Sequence, residues 1–121
     1  MCIRDSYPYT ARDGSCKNLP GKFKINGYAN ANQCSGLTNA ITKQPVSITV
    51  DATNWSSYRS GVFSNCRTSI NHAVLLVGIV DGNYKVKNSW STSWGESGYI
   101  RLASAGSNTC GICMYAGVMP N

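Results

Sequence analysis

The fold is decided by residues 71–90, which read NHAVLLVGIVDGNYKVKNSW. Ala73 to Val80 is a continuous apolar run, as expected of a central strand that is covered on both faces. The run ends at Asp81-Gly82-Asn83, which has the composition of a tight turn, and Tyr84 to Asn88 then returns as a second strand. The stretch therefore predicts an antiparallel hairpin at the centre of a sheet.

His72 is the only histidine in the sequence, so a conventional proton shuttle near neutral pH must use it. A basic imidazole needs another group to fix its tautomer and orientation, and Asn88 is the candidate on the next strand. If residues 80–82 form the turn, His72 faces Trp90, and Asn88 is its diagonal neighbour at about 7 to 8 Å. A one-residue shift turns Asn88 to the opposite face unless a β-bulge restores the register. A lone histidine is more often structural, so the register decides between the two interpretations.

Other segments predict further strands and one helix. The predicted strands are Lys22 to Tyr28 (Phe23 and Ile25 on one face), Val46 to Val50 (Val46, Ile48 and Val50 inward), Gly98 to Ala103 and Ala116 to Met119. Ser35 is the predicted helix N-cap; Leu37, Ala40 and Ile41 follow at helical spacing, and Pro45 prevents continuation. The sum is an α+β domain that is rich in antiparallel strands and has one main helix.

The composition fits one packed domain, because 121 residues with 42% hydrophobic and 13% charged content are too apolar for a disordered chain. The apolar run at 73–80 is too short to span a membrane, and no signal-peptide pattern opens the chain. The basic residues behind the net charge of +6 are scattered, which disfavours nucleic acid as a partner. We expect Met1 to Ser6 to be a non-native leader, because they show neither a hydrophobic periodicity nor a turn pattern.

Six cysteines are many for a reducing cytosol and indicate a secreted or lysosomal/vacuolar protein. Cys110 and Cys113 are the only close pair, and no second pair completes a tetrahedral set, so neither a metal nor another cofactor is expected. Asn54-Trp55-Ser56 matches the acceptor pattern for N-glycosylation, which fits a secretory route. Six cysteines allow 15 complete pairings, and the sequence alone does not choose among them.

Several blocks resemble papain-family cysteine peptidases. Asn71-His72-Ala73-Val74, Lys87-Asn88-Ser89-Trp90 and Trp94-Gly95-Glu96-Ser97-Gly98-Tyr99-Ile100-Arg101 are similar to the His and Asn regions of that family. Tyr7-Pro8-Tyr9, Gln44-Pro45-Val46-Ser47 and Gly61-Val62-Phe63 fit it in the same order, so the resemblance covers about residues 7–121. It implies a β-barrel-like lobe that is half of a two-lobe fold. Ser91 stands where the family usually has Gly, and Asn71 stands where Asp is common.

The resemblance also implies the chemistry, which is hydrolysis of peptide or protein substrates by a thiolate–imidazolium pair. His72 is then the proton acceptor and donor, Asn88 orients it, and Trp90 and Trp94 shield the His–Asn hydrogen bond from water. The matching positions imply a substrate pocket lined by Thr49, Ala52, Ile70, Met114, Tyr115 and Ala116. These residues are small or apolar, which predicts a preference for an apolar substrate side chain; ordinary strand residues are the equal alternative.

The family's nucleophilic Cys lies about 130 to 150 residues upstream of the His, in a Cys-Gly-Ser/Ala-Cys-Trp/Tyr setting. Only 71 residues precede His72, and none of the cysteines has that setting. Residues 7–121 are therefore expected to be the C-terminal lobe, which needs an N-terminal lobe as its partner and is inactive alone. The alternatives are a non-catalytic binding or inhibitory module and a Cys/His hydrolase with another chain order.

Family likeness implies a disulfide between Cys66 and Cys110, worth about 4 kcal/mol in the chain-entropy model. Among the cysteines left over, Cys34 and Cys113 are suggested as a second disulfide. Cys16 resembles a cysteine whose partner lies in the absent lobe, so we expect Cys16 to be free.

Overall fold

The computed structural model describes residues 6–21, 26–31, 33–115 and 117–120, the last four by their backbone alone. Within them the chain forms a helix, a 3-10 turn and a set of short strands. In chain order these are β1 (Tyr28–Ala31), α1 (Gln33–Ile41), β2 (Val46–Val50), β3 (Val62–Phe63), β4 (His72–Val80), β5 (Asn83–Lys87), β6 (Tyr99–Leu102), the 3-10 turn (Thr109–Gly111) and β7 (Gly117–Pro120). Phe23 and Ile25 of the predicted first strand lie outside the described residues, as does Ala116.

The strands form one sheet in the order β1-β7-β2-β4-β5-β6-β3. Every pairing in it is antiparallel except that of β3 with β6, which is parallel. The predicted α+β class with one helix is confirmed for the described residues. The barrel-like closure is not seen, since no described pairing joins the outer strands β1 and β3.

The core lies on one face of the central strands, where apolar side chains alternate with exposed ones. Val46, Ile48 and Val50 of β2 are buried, as predicted. The core also contains buried residues of β4, β5 and β6: Val74, Leu76, Tyr84, Val86, Ile100 and Leu102. The prediction that the apolar run is covered on both faces is wrong, since Ala73 near its start is exposed. At its other end Ile79 and Val80 are 40% and 43% exposed, in the part of β4 that extends beyond the residues paired with β2.

The register of the β4–β5 hairpin changes along its length. At the turn, Val80 pairs with Asn83 and Gly78 with Lys85, so only Asp81 and Gly82 form the loop. This register alone would turn Asn88 away from His72. An irregularity between Leu76 and Gly78 takes up one extra residue, and beyond it Leu75 pairs with Lys87. The bulge thus restores the register that a three-residue turn would have given.

The helix α1 begins earlier than its predicted N-cap, because Ser35 lies inside it. Its second residue, Cys34, forms a disulfide with Cys113, which ties the first turn of the helix to the segment after the 3-10 turn. The Thr38 hydroxyl donates to the carbonyls of Cys34 and Ser35 at 3.0 Å each. Leu37 and the other predicted core residue of the helix, Ala40, are buried.

Both predicted disulfides are present. The Cys34–Cys113 bond closes a sequence separation of 79 residues and the Cys66–Cys110 bond one of 44. The second bond ties the segment before β4 to the 3-10 turn. Cys16 is free and exposed. In the described part of the chain, no helix has the length and apolar character to cross a membrane.

Candidate active site

A direct hydrogen bond joins the two polar residues singled out from the hairpin. His72 is the first residue of β4, and Asn88 follows the last residue of β5. The His72 Nε2 atom lies 2.8 Å from the Asn88 Oδ1 atom. Asn88 is itself buried, and its backbone N–H donates to the Gly98 carbonyl at 2.9 Å. The bulge in β4 is what brings these two side chains to the same face.

The neighbouring backbone fixes which atoms of the pair donate. The Ser89 N–H donates to the Asn88 Oδ1 atom at 2.8 Å, and a backbone N–H can only donate, so the atom facing it must be the amide oxygen. An amide oxygen can only accept, so the His72 Nε2 atom carries a hydrogen. In the neutral ring the Nδ1 atom then holds the lone pair, which makes Nδ1 the atom able to take a proton.

The Asn88 Nδ2 atom is buried and has no hydrogen-bond partner among the described residues. An unsatisfied buried donor costs about 1–3 kcal/mol, so a stable fold gains nothing from it. Such groups are uncommon and call for a reason other than stability. The other end of the same amide, the Oδ1 atom, is the one that accepts from the His72 Nε2 atom.

Three tryptophans surround the imidazole. The Trp90 ring stacks on His72 with centroids 5.0 Å apart and 29° between the planes, and it is 38% exposed. Trp55, which is fully buried, presents an edge to His72 at 6.2 Å. Trp94 packs behind them, stacked on Trp55 at 5.9 Å and edge-on to Trp90 at 5.3 Å. Trp90 therefore covers the imidazole directly, whereas Trp94 contacts the two rings that flank it.

The segment before Trp55 is tied to the residue next to His72. The Asn71 Oδ1 atom accepts from the Ala52 N–H at 2.9 Å, and the Asn71 Nδ2 atom donates to the Thr53 hydroxyl at 3.0 Å. Asp51 accepts from the Thr53 hydroxyl at 2.6 Å and from the Ser69 N–H at 3.1 Å. The hydrogen bonds from Thr53, side chain first, lower the pKa of the Asp51 carboxyl. Asn71 therefore positions a loop through two bonds.

A second carboxylate holds the loop that carries Trp94. Glu96 accepts from the Arg101 guanidinium at 2.7 and 2.9 Å and from the Gly61 N–H at 2.8 Å. The side-chain hydrogen bond from Arg101, followed by the Gly61 N–H, lowers the pKa of Glu96. A Cβ on Gly95 would lie 2.6 Å from the Tyr99 carbonyl oxygen, and Gly95 has a φ of +57°. This turn therefore requires glycine at position 95.

Ser91 has a backbone conformation that suits glycine, the residue that is usual at this position in the family that the sequence resembles. Its φ is +83°, in the left-handed region that side chains rarely adopt. The Ser91 hydroxyl accepts from the Ser93 N–H at 3.2 Å, which supports the turn locally. The backbone shape is kept at the cost of some strain.

Four of the predicted substrate-pocket residues lie in β2 or close to its end. Ala52 is buried and Thr49 is half-buried, with its hydroxyl buried and unpaired among the described residues. Ile70 and Met114 converge on Gly111, where a Cβ would lie 2.7 and 3.3 Å from their side chains. Met114 and Tyr115 are exposed, and Ala116 lies outside the described residues. The structure thus brings Thr49, Ala52, Ile70 and Met114 to the end of β2.

A separate cavity of about 420 Å³ opens beside Asn88. It is bordered by residues of β2, β4 and the end of β5: Ser47, Ala73, Val74, Leu75, Lys87, Asn88 and Ser89. Neither His72 nor the predicted pocket residues line this cavity, so it reaches Asn88 but not the imidazole.

Comparison with known proteins identifies this arrangement. Residues 1–119 match the profile of the papain family of cysteine proteases. The chain belongs to this family. Cathepsin L 2 of Paramecium tetraurelia is 49% identical over 110 residues, which is 88% of this chain and 34% of that protein. Stem bromelain of Ananas comosus is 42% identical over 113 residues, which is 88% of this chain and 53% of that protein.

Solved structures of papain-family enzymes share the fold. The bromelain protease of Ananas comosus in complex with the E64 inhibitor has a TM-score of 0.79 at 40% identity, covering 98% of this chain and 61% of that one. A cysteine protease of Carica candamarcensis in complex with E-64 has a TM-score of 0.83 at 37% identity, covering 98% and 60%. The chain spans about a third of the cathepsin L relatives from Paramecium and less than two thirds of the solved chains.

Two contributors to this papain-family site were missed in the sequence. Trp55 lies in a loop without periodicity, and only its large aromatic side chain hinted at burial. Asp51 follows a strand directly and gives no local sign that donors from residues 53 and 69 converge on it.

Proposed function

We propose that this chain is the base-bearing lobe of a papain-family cysteine endopeptidase. The observation that carries the proposal is the hydrogen bond of 2.8 Å between the His72 Nε2 atom and the Asn88 Oδ1 atom. This bond leaves the Nδ1 atom as the free proton acceptor, which is what activation of a thiol requires. Membership of a cysteine protease family supports the same chemistry.

In this proposal His72 takes the proton of a cysteine thiol through its Nδ1 atom, and the resulting imidazolium stabilises the thiolate. The thiolate attacks the peptide carbonyl, and His72 then returns the proton to the leaving amine. Asn88 keeps the ring oriented through both steps. Trp90 and Trp55 keep water away from the His–Asn hydrogen bond, which strengthens it electrostatically.

The nucleophile is proposed to lie on a polypeptide segment outside this chain. The one free thiol in the described residues, on Cys16, is exposed and has no hydrogen bond to His72. The short span of the chain relative to its cathepsin L relatives is consistent with a separate nucleophile-bearing lobe. We therefore expect the 121-residue chain alone not to hydrolyse peptides. The two disulfides fit a secreted or lysosomal/vacuolar location.

The substrate side chain next to the cleaved residue is proposed to be apolar. Ala52, Ile70 and Met114 present small or apolar groups at the end of β2, and the buried hydroxyl of Thr49 carries no charge. A cationic substrate side chain would lose hydration there without gaining a carboxylate partner.

The test begins with the transcript that encodes the chain and with expression of the full protein that it encodes. Hydrolysis of peptides that carry an apolar or a basic side chain at that subsite is measured for the parent and for His72→Ala, Asn88→Ala and Asn65→Ala. Asn65 is an exposed asparagine outside the site and is the matched control.

We expect His72→Ala to abolish hydrolysis and Asn88→Ala to lower kcat about 10- to 100-fold, since one charged hydrogen bond is worth about 1.5–3 kcal/mol. Asn65→Ala should match the parent. Turnover by the 121-residue chain on its own, abolished by His72→Ala, would refute the two-lobe proposal. A Ser or Gly at the upstream nucleophile position would favour the non-catalytic module instead.

A further inference from the structure

The loop after β2 displays a modification motif that the proposed peptidase chemistry does not use. Asn54-Trp55-Ser56 is the only Asn-x-Ser/Thr triplet in the sequence, and the middle residue is not proline. The side chains of Asn54 and Ser56 are both exposed, while Trp55 between them is fully buried. The two residues that an oligosaccharyl transferase must recognise therefore face solvent together.

The buried Trp55 fixes the outward orientation of its two neighbours. The Trp55 N–H donates to the Ala52 carbonyl at 3.0 Å, and the Trp55 carbonyl accepts from the Tyr58 N–H and the Trp94 Nε1 atom, also at 3.0 Å. Because its ring lies in the core and both its backbone groups are hydrogen-bonded, Trp55 holds the loop in this orientation. Asn54 and Ser56 are held on the outer side of the loop.

The acceptor atom is accessible and keeps its partner after modification. The Asn54 Nδ2 atom donates one hydrogen bond to the Asn65 carbonyl at 3.0 Å in an exposed setting. An amide nitrogen carries two hydrogens, so one can be replaced by a sugar while the other keeps this bond. The residues around it, Thr53, Ser57, Ser64 and Asn65, are exposed, which leaves room for a bulky group.

We propose that Asn54 carries an N-linked oligosaccharide. In the transfer, the Asn54 Nδ2 atom loses one proton and bonds to the anomeric carbon of a lipid-pyrophosphate-linked oligosaccharide, while the bond from that carbon to the pyrophosphate oxygen breaks. The lipid pyrophosphate leaves with the electron pair, so no oxidant or reductant is needed. The glycan lies on the outer side of the loop whose inner side, through Trp55, contacts His72. The proposal needs a secretory route but not catalytic competence.

The protein purified from its own cells provides the first test. Trypsin releases residues 44–59 as one peptide that contains no asparagine except Asn54. Treatment with a peptide-N-glycosidase in heavy-oxygen water converts a glycosylated asparagine to a labelled aspartate, which mass spectrometry detects. We expect the labelled peptide. Recovery of residues 44–59 only as unmodified, unlabelled peptide overturns the proposal.

A second test uses the full-length protein secreted from eukaryotic cells. Asn54→Gln and Ser56→Ala should each remove the glycosidase-sensitive shift in electrophoretic mobility, whereas Ser57→Ala should keep it. Ser57 is the exposed serine next to the triplet and outside it. A glycosidase-sensitive shift of the same size as in the parent in both Asn54→Gln and Ser56→Ala would place the glycan elsewhere and overturn the assignment.

Discussion

Replacing Asp51 by Asn should weaken the loop next to His72, and the size of the loss should depend on pH. Asp51 is 1% exposed and accepts hydrogen bonds from the Thr53 N–H at 3.0 Å, the Thr53 hydroxyl at 2.6 Å and the Ser69 N–H at 3.1 Å. Asparagine offers one acceptor oxygen and one donor group, so at least one of the two backbone N–H groups would face a donor. Losing one hydrogen bond to a buried charge costs about 1.5–3 kcal/mol. We expect a loss of about 2 kcal/mol in the free energy of unfolding at neutral pH.

The pH dependence follows from the direction of the pKa shift. The Thr53 hydroxyl and N–H lower the pKa of Asp51 from its ordinary value of 3.8, because they stabilise the charged form. The charged carboxylate therefore contributes its full stability above the ordinary pKa, and this stability is lost as the pH falls through the lowered pKa. Asparagine resembles the protonated acid, so parent and variant should converge in strong acid.

Urea unfolding of the 121-residue chain at neutral pH and in acid measures both effects. A loss of about 2 kcal/mol corresponds to a midpoint shift of about 1–2 M urea for a chain of this size. The control is Asp13→Asn, which removes an exposed carboxylate. A loss for Asp51→Asn that is equal at both pH values, or no loss at neutral pH, would refute the argument.

Three further changes probe the rest of the site. Glu96→Gln should lower the urea midpoint at neutral pH and less so in acid, because the pKa of Glu96 is also lowered. Replacing Cys66 and Cys110 by Ser together should lower the free energy of unfolding by about 4 kcal/mol relative to the oxidised parent, measured by denaturant unfolding. As a control, this difference should vanish in reductant, which opens the disulfides of both proteins. Trp90→Ala should speed exchange of the His72 ring N–H with water, measured by imidazole NMR; an unchanged rate would mean that the ring does not shield it.

Regular patterns predicted the central part of the fold. Val46 to Val50 matched the observed strand β2, because alternating burial leaves a period of two in the sequence. The hairpin around Asp81-Gly82 was predicted from its turn composition. The placement of Asn88 was predicted only as one of two outcomes, because the extra residue at the bulge is as apolar as its neighbours and leaves no mark in the pattern.

Features that depend on distant contacts could not be predicted. The helix begins two residues before Ser35, in a turn that the disulfide at Cys34 ties to a distant segment, whereas a capping rule reads only local residues. The parallel pairing of β3 with β6 involves a strand of two residues, which is too short to show a period. The edge contact of Trp55 with His72 joins residues 55 and 72 across a loop, so packing decides it.

The bulge in β4 makes the length of the hairpin loop and the length of the strand interchangeable. A two-residue loop with Val77 inserted in the strand aligns His72 and Asn88 as a three-residue loop with no insertion would. A residue gained or lost between the two side chains separates them unless the loop or a bulge takes it up, as the bulge at Val77 does here. What the His–Asn pair requires of the intervening segment is therefore a loop and a strand whose lengths match each other.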